Sequence, residues 1–444
     1  MSRRLLRVFR RPLLIVRVWR TRLVFWGGAV AVALAAILFA KTSAAGSHLF
    51  AQGVAAYPWL PFVVTPLAFA AVVWLTRRVF PGAEGSGIPQ TIAALKIPVL
   101  AERQSVLSLR LAAGKILLTS LALCGGASVG REGPSVQIGA AILHSLGKWV
   151  RLPAQNMETA LVLAGGAAGI AAAFNTPLAG IVFAIEELSR SFEERASGVM
   201  LTAVIVAGVV SMGILGNYSY FGHTDAVLAL TQAWRPVLAC GILGGVLGGL
   251  FARILITFAF GIPGRAGDWI KAHPVAFAAL CGLGMAVLGQ LSGQAIYGTG
   301  YDEARGLLEG TRDLAPSFGL LKLAATVVSY VSGLPGGIFA PSLAVGAGMG
   351  ADLVAWIPGI PAGALIILGM AGYFTGVVQA PITASVIVME MTDNQSLTLP
   401  LMATALIAFA VSRVVCPQPI YRTLAQRFLE KSVRKVERVT EQAV

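Results

Sequence analysis

Apolar runs, interrupted by glycine and proline, cover nearly the whole of this 444-residue chain. Hydrophobic residues make up 56% of the chain and charged residues only 12%, whereas an average soluble domain has about 25% charged residues. So few charges cannot cover the surface of a water-soluble protein, and so many apolar residues exclude an intrinsically disordered chain. The long apolar runs therefore predict an all-α, polytopic membrane protein that lies in a lipid bilayer.

Much of the net charge of +14 lies at the two ends of the chain. Residues 1–22 contain eight arginines and no acidic residue, and they precede the apolar run Leu23–Ala40, which is long enough for a first transmembrane helix. The segment 422–444 is also basic. Because Lys and Arg are enriched in cytoplasmic flanks, both termini are predicted to be cytoplasmic. Basic charge placed beside apolar runs favours membrane orientation over nucleic-acid binding, so no nucleic-acid partner is expected.

The four cysteines and four histidines are dispersed and form no Cys-x-x-Cys motif or Cys/His cluster. Zinc sites and disulfide frameworks need such clusters at defined spacings, so no metal and no cofactor is predicted. A membrane-embedded enzyme is the alternative from another class, but the chain contains no His-Glu-x-x-His motif. The chain is therefore predicted not to be an enzyme.

Several apolar segments are shorter than the roughly 20 residues that a full membrane crossing needs, and glycine or proline breaks them. Such segments are typical of helices that end inside the membrane. Irregular backbone at that depth is tolerated only where it lines a cavity or is buried in protein. The breaks therefore predict where the functional site lies.

Two blocks of the sequence are similar to later blocks at nearly one spacing. Gly165–Leu188 resembles Gly369–Thr392 at an offset of 204, and Lys115 matches Lys322 at an offset of 207. This repetition predicts two related membrane repeats, 23–225 and 226–421, flanked by the end segments 1–22 and 422–444. Chance similarity between helices rich in glycine and alanine is the alternative.

Three segments share the form Gly-x-x-x-Pro before an apolar run. They are Gly85-Ser86-Gly87-Ile88-Pro89, Gly130-Arg131-Glu132-Gly133-Pro134 and Gly337-Ile338-Phe339-Ala340-Pro341. Proline is suited to the first turn of a helix, and the free N–H groups and dipole of a helix start favour an anion. Converging starts would form an anion site without a full positive charge. Ordinary turns between helices are the alternative.

These motifs, in this order, resemble the three signature motifs of the CLC family of chloride channels and proton-coupled chloride transporters. The resemblance extends to Gly165–Leu188, to Glu390–Asn394 and to Tyr421. It implies two inverted repeats of tilted and discontinuous helices, and a homodimer with one pathway per subunit.

The resemblance also implies individual roles. The hydroxyls of Ser86 and Tyr421 would bind chloride together with the backbone N–H groups of Ile338 and Phe339. Glu132 would be the external gate and proton site, and Glu187 the internal proton site.

Considered one by one, these residues have simpler explanations. Glu132 suits a structural ion pair with Arg131, and Glu186 with Glu187 suits a solvated pair at the membrane interface. A serine is more often a helix cap and a tyrosine more often an interface aromatic. The sequence also departs from many bacterial relatives, because Gln90 stands where they have an acid after the first motif.

The resulting prediction is a Cl⁻/H⁺ antiporter of a bacterial inner membrane. Its partners are chloride, protons and lipid. A passive, voltage- or pH-gated chloride channel on the same fold is the alternative. The segment after Tyr421 is too short for the paired nucleotide-sensing domains of some relatives, so nucleotide regulation is not expected.

Overall fold

The computed structural model describes residues 3–97, 100–150, 155–189, 194–216 and 219–442. The arginines at positions 3 to 17 and the basic residues beyond position 432 lie outside the residues whose side chains are described. Within the described residues the chain is helical, and the only strand-like pairings are two isolated backbone bridges. The all-α prediction is therefore confirmed.

The helices range in length from 4 residues in α4 to 54 residues in α1. In the first part of the chain they are α1 (Arg3–Ala56), α2 (Pro61–Arg78), α3 (Ile88–Lys96), α4 (Leu100–Arg103), α5 (Leu109–Cys124), α6 (Glu132–Trp149), α7 (Gln155–Phe174), α8 (Pro177–Phe183), which a π-helical turn (Ala184–Ser189) extends, and α9 (Glu194–Leu215). The later helices are α10 (Leu230–Phe260), α11 (Arg265–Ala272), α12 (Pro274–Leu291), α13 (Tyr301–Leu308), α14 (Phe318–Val331), α15 (Phe339–Asp352), α16 (Ala362–Val378), α17 (Pro381–Thr392), α18 (Thr398–Val415) and α19 (Ile420–Gln442), with a 3-10 turn (Leu353–Ala355) after α15.

Among the described residues, six stretches of helix are long and apolar enough to cross a bilayer: Trp19–Ala56, Met157–Phe174, Gly198–Leu215, Thr231–Phe260, Pro274–Leu291 and Thr398–Val415. The predicted first span, Leu23–Ala40, is only part of α1, which runs for 54 residues without a break at residue 22. The alanine-rich sequence after residue 40 favours helix, so α1 extends well beyond the apolar run.

Several shorter helices begin with a proline. Proline occupies the first turn of α3, α8 and α17, where its fixed φ suits the helix and its missing N–H costs nothing. Helices α8 and α17 have 7 and 12 residues, too few to cross a bilayer at 1.5 Å per residue. The predicted discontinuous helices are present.

Equivalent glycines bring helices into direct backbone contact in both halves. A Cβ on Gly139 of α6 would overlap the carbonyl oxygen of Gly165 of α7, and a Cβ on Gly165 would overlap that of Gly139. Gly346 of α15 and Gly369 of α16 face each other in the same way. These pairs are related by the offsets of 207 and 204 that the sequence shows.

The equivalent lysines also have equivalent partners. Lys115 Nζ donates to the carbonyl oxygens of Ala83 and Gly85, at 2.8 and 2.7 Å. Lys322 Nζ donates to those of Ile296 and Gly298, at 2.8 and 2.9 Å. Each buried ammonium group therefore holds two carbonyl oxygens of one loop together, because a buried charge needs several hydrogen bonds. These lysines do not snorkel to water.

Two glutamates at the offset of 204 cap helices in the opposite half. Glu186 accepts hydrogen bonds from the N–H groups of Ile382 (3.3 Å) and Thr383 (2.6 Å) at the start of α17. Glu390 accepts from Leu178 (3.2 Å) and Ala179 (2.7 Å) at the start of α8. A carboxylate at a helix start satisfies unpaired N–H groups and the dipole. Glu186 is thus a capping group and not part of a solvated pair.

We expect Glu390→Gln to lower the free energy of unfolding by about 1–2 kcal/mol, because charge-assisted bonds are about twice as strong as neutral ones. Glu186→Gln is expected to have a similar effect, since its contacts are equivalent. Thermal unfolding in detergent micelles measures both. The control is Glu430→Gln, an exposed site where a change within about 0.5 kcal/mol is expected. Equal melting temperatures for Glu390→Gln and Glu430→Gln would contradict the capping role.

Candidate anion pathway

Backbone hydrogen bonds join the three glycine-proline motifs. Gly130 N–H donates to the carbonyl of Gly337, and Gly337 N–H donates back to that of Gly130, both at 2.7 Å. Gly85 N–H donates to the carbonyl of Leu334 at 3.2 Å, and its own carbonyl accepts from Gly336 N–H at 3.0 Å. The loops that precede α3, α6 and α15 therefore meet at one place.

Glycine is required where these loops touch. A Cβ on Gly133 would overlap Ser86 Oγ and come within 2.9 Å of the Ser86 carbonyl oxygen. A Cβ on Gly87 would come within 2.9 Å of the Gly133 carbonyl oxygen, and Gly87 has a left-handed φ of 99°. Only glycine combines that φ with such close approach. The glycines of the motifs thus set the distance between helix starts.

Ser86, Phe339 and Tyr421 come together at this junction, and all are buried. The ring of Phe339 stacks on that of Tyr421 with centroids 6.1 Å apart. The Tyr421 hydroxyl faces the Ser86 hydroxyl, yet neither oxygen makes a hydrogen bond of ordinary length with any described residue. Buried hydroxyls normally have partners, so this pair is suited to donate to a bound acceptor.

Helix α15 supplies backbone donors to the same place. It begins at Phe339, with Ile338 as its N-cap residue and no side chain capping it. The first N–H groups of a helix have no acceptor within that helix, and the helix dipole places partial positive charge there. Aromatic rings surround Phe339: Phe374 at 4.6 Å, Phe183 at 5.9 Å and Phe174 at 6.1 Å between centroids. The site is small, largely apolar and rich in donors.

Glu132 is the first residue of α6, and its side chain is fully buried. Its Oε1 accepts a hydrogen bond from the Tyr220 hydroxyl at 3.1 Å. Its Oε2 faces the N–H of Ala340 at the start of α15 but makes no hydrogen bond of ordinary length with a described residue. The carboxylate therefore lies at the same helix start as Phe339. The ion pair with Arg131 is present, but Nε is 3.9 Å from Oε1, longer than a charge-assisted hydrogen bond.

Glu187 lies in the π-helical turn that follows α8. Single π-helical turns are frequent at functional sites. Its side chain is buried, with 2% exposed, and it interacts electrostatically with Tyr421. Glu186 and Glu187 thus separate: one caps α17, whereas the other is directed to the region of the buried tyrosine.

Gln90 directly follows the first motif. Its Oε1 accepts from the Gly87 N–H at 3.1 Å, and its Nε2 donates to the Glu84 carbonyl at 2.6 Å. The side chain therefore braces the loop that carries Ser86. An acid could accept the first bond but could not donate the second without a proton.

Cavities approach the junction from opposite sides. A cavity of about 690 Å³ is lined by residues that include Arg131, Tyr220 and Glu303. A second cavity of about 400 Å³ is lined by residues that include Ser86 and Arg427. Between them lie the buried hydroxyls and the Glu132 carboxylate. Sequence reasoning missed Tyr220 and the phenylalanines around Phe339, because neither a motif nor a spacing identifies them.

The segment Gly126–Gly130 has the letters of the Gly-x-Ser-x-Gly motif of serine hydrolases, so a prediction that the chain lacks this motif is wrong. In hydrolases that serine sits on a sharp turn between a strand and a helix. Here Ser128 lies between α5 and α6. Its hydroxyl pairs with Thr326 at 3.0 Å, and its N–H donates to Ser329 at 2.9 Å. The serine is thus a buried packing residue.

The fold and this junction define a membrane protein with converging helix starts that are suited to an anion. The family model described as voltage gated chloride channel matches residues 67–413. The chain therefore belongs to the voltage gated chloride channel (CLC) family.

Curated relatives include the H⁺/Cl⁻ exchange transporter ClcA of Yersinia pestis bv. Antiqua (strain Angola). It is 33% identical over 391 residues, which cover 84% of this chain and 78% of that protein. ClcA of Cronobacter sakazakii is 33% identical over 421 residues, which cover 90% of this chain and 88% of that protein.

Solved structures with the same fold include a slow cyanobacterial Cl⁻/H⁺ antiporter. Its TM-score is 0.79 at 27% identity, and the match covers 93% of this chain and 98% of that one. A CLC-type fluoride/proton antiporter matches with a TM-score of 0.76 at 24% identity, covering 92% and 98%. The second likeness supports the fold alone.

We expect Gly133→Ala to weaken chloride binding at least tenfold, about 1.4 kcal/mol, because the added methyl group must push Ser86 away from α6. Isothermal titration of the purified protein with chloride measures the affinity. Gly284→Ala in α12 is the matched control, since a Cβ there meets nothing within 4 Å. Equal affinities in the two variants would show that the spacing between the first and second motifs does not control binding.

Proposed function

We propose that this protein exchanges chloride for protons across a bacterial inner membrane. The observation that carries the proposal is the position of Glu132: a buried carboxylate beside the same helix start that offers its N–H groups to an anion. An anion and this carboxylate compete for those donors. One site thereby links chloride occupancy to the protonation of an acid. The relatives named as H⁺/Cl⁻ exchange transporters support the same conclusion.

Chloride binds between the hydroxyls of Ser86 and Tyr421 and the N–H groups of Ile338 and Phe339. These donors carry partial charges only, so the anion is held weakly enough to leave again. Protonation of Glu132 neutralises its carboxylate and releases it from the helix start. Chloride then passes to the cavity of about 690 Å³ that Tyr220 lines, which we assign to the outer side and call the outer cavity.

The proton reaches Glu132 from Glu187. The support for this step is the burial of Glu187 and its interaction with Tyr421, the residue that also borders the anion site. A buried acid inside a membrane bundle is costly and is usually functional. Anion and proton therefore share Glu132 but enter by different routes from the inside.

The second candidate is a passive chloride channel on the same fold. It would use the same anion site and the same gate, but it would not need Glu187. Burial of this second carboxylate favours the antiporter.

We expect a pH gradient across liposomes that contain the protein to drive chloride uphill. Glu187→Gln is expected to abolish proton movement and leave chloride flux, because the amide cannot carry a proton to Glu132. Glu132→Gln is expected to uncouple the two ions as well. Simultaneous chloride and proton electrodes measure both fluxes.

Glu186→Gln is the matched control, since it changes the neighbouring acid in the same turn. Glu186 is committed to α17, so this variant should lose stability but keep coupling. Wild-type protein that moves chloride but cannot concentrate it with a pH gradient would identify the passive channel. Unchanged coupling in Glu187→Gln would remove Glu187 from the proton route.

We further propose that the chain forms a homodimer, and that each subunit has its own pathway. Every group assigned to the site comes from a single chain, so one copy is complete. The two repeats, 23–225 and 226–421, are inverted relative to each other, which the reciprocal caps of α8 and α17 support. The arginine-rich segment 1–22 and the basic segment 422–444 support the proposal that both termini are cytoplasmic.

A further inference from the structure

Tyr220 separates Glu132 from the outer cavity. It comes from the connection between α9 and α10, and its side chain is 2% exposed. It lines the cavity of about 690 Å³, and its hydroxyl donates to Glu132 Oε1 at 3.1 Å. No motif in the sequence marks this residue.

The ring of Tyr220 is held on several sides. Its centroid lies 4.8 Å from that of Tyr301, 5.0 Å from that of Phe221 and 5.3 Å from that of Phe174, all edge to face. The Arg131 guanidinium lies 5.8 Å from the ring centroid. Edge-to-face and cation–π contacts depend on the angle of the ring as well as on its burial, so together they fix the orientation of the Tyr220 ring. The hydroxyl is therefore aimed at the carboxylate and is not a chance contact.

Three charged or titratable side chains face Glu132. Arg131 precedes it in α6, Tyr220 arrives from the connection before α10, and Tyr421 faces it from the start of α19. Arg131 lies at the long distance of 3.9 Å. Tyr220 is the side chain that makes a short, directed hydrogen bond to the carboxylate.

We propose that Tyr220 is an outer latch: its hydroxyl holds ionised Glu132 in the closed position, and its ring covers the carboxylate from the outer cavity. This inference rests on the proposed exchange function and deepens it. Opening then requires that Glu132 is protonated and that this hydrogen bond breaks. Tyr220 is a positioning residue for the gate, since it acts through Glu132.

Tyr220→Phe tests the latch because it removes the hydroxyl and keeps the ring. A hydrogen bond to a charged group is strong enough to change a population about tenfold. We expect chloride turnover at pH 7 to rise about tenfold. The pH of half-maximal flux should move upward, because the ionised form of Glu132 loses a donor. The ratio of chloride to protons should stay the same, since Glu132 still carries the proton.

Tyr301→Phe is the matched control. Its ring lies against Tyr220, but its hydroxyl accepts from Arg305 at 3.1 Å, so wild-type turnover and pH profile are expected. Tyr220→Leu removes hydroxyl and ring together and should raise turnover at least as much as Tyr220→Phe. In a Glu132→Ala background, Tyr220→Phe should have no further effect, because no side-chain oxygen remains at position 132 to accept from the hydroxyl.

The outcomes separate the latch from the exchange function. Wild-type protein that shows no exchange contradicts the proposed function. Wild-type exchange with an unchanged rate and pH profile in Tyr220→Phe and Tyr220→Leu contradicts the latch. The latch is also wrong if Tyr301→Phe gives the same change, or if Tyr220→Phe still accelerates flux in the Glu132→Ala background.

Discussion

The paired backbone hydrogen bonds between Gly130 and Gly337 are the contact on which the rest of the pathway depends. They lock the loop before α6 to the loop before α15, and the bonds made by Gly85 add the loop before α3. Inside a membrane no water replaces a lost partner, so an unsatisfied backbone group costs several kcal/mol. The loops therefore stay together, and the starts of their helices keep a fixed geometry around the anion site.

This geometry attracts an anion without placing a full positive charge beside it. The two buried lysines, Lys115 and Lys322, are occupied by carbonyl oxygens of neighbouring loops. The donors that remain for an anion are helix-start N–H groups and the hydroxyls of Ser86 and Tyr421. Weak donors of this kind suit transport, which requires release as well as binding. In the proposed exchange cycle, the carboxylate of Glu132 competes with the anion for these donors, and this competition couples the two ions.

The two halves are alike in scaffold and different in chemistry. The close contact of Gly139 with Gly165 is repeated by Gly346 with Gly369, and the helix caps are exchanged between the halves. At the same offsets, however, Glu132 corresponds to Phe339, and Glu187 to the buried Met391. The first half supplies both acids, whereas the second half supplies apolar groups in their place. Repetition thus gives the two halves the same scaffold, and its local departures place both carboxylates of the proposed proton route in the first half.

The sequence by itself determined the class of fold, the broken helices, the three motifs and the equivalence of Lys115 with Lys322. Apolar periodicity, proline at helix starts and glycine at close contacts are local or composition-level signals, and they are visible in one chain. Only the tertiary structure decided that Tyr220 bonds to Glu132 across 88 positions, and that Glu186 caps α17 across 196. It also decided that α1 continues beyond its apolar run and that Gln90 braces its own loop. These roles depend on which surfaces meet after folding. The residues around a polar side chain in the sequence do not indicate which distant group it will form a hydrogen bond with.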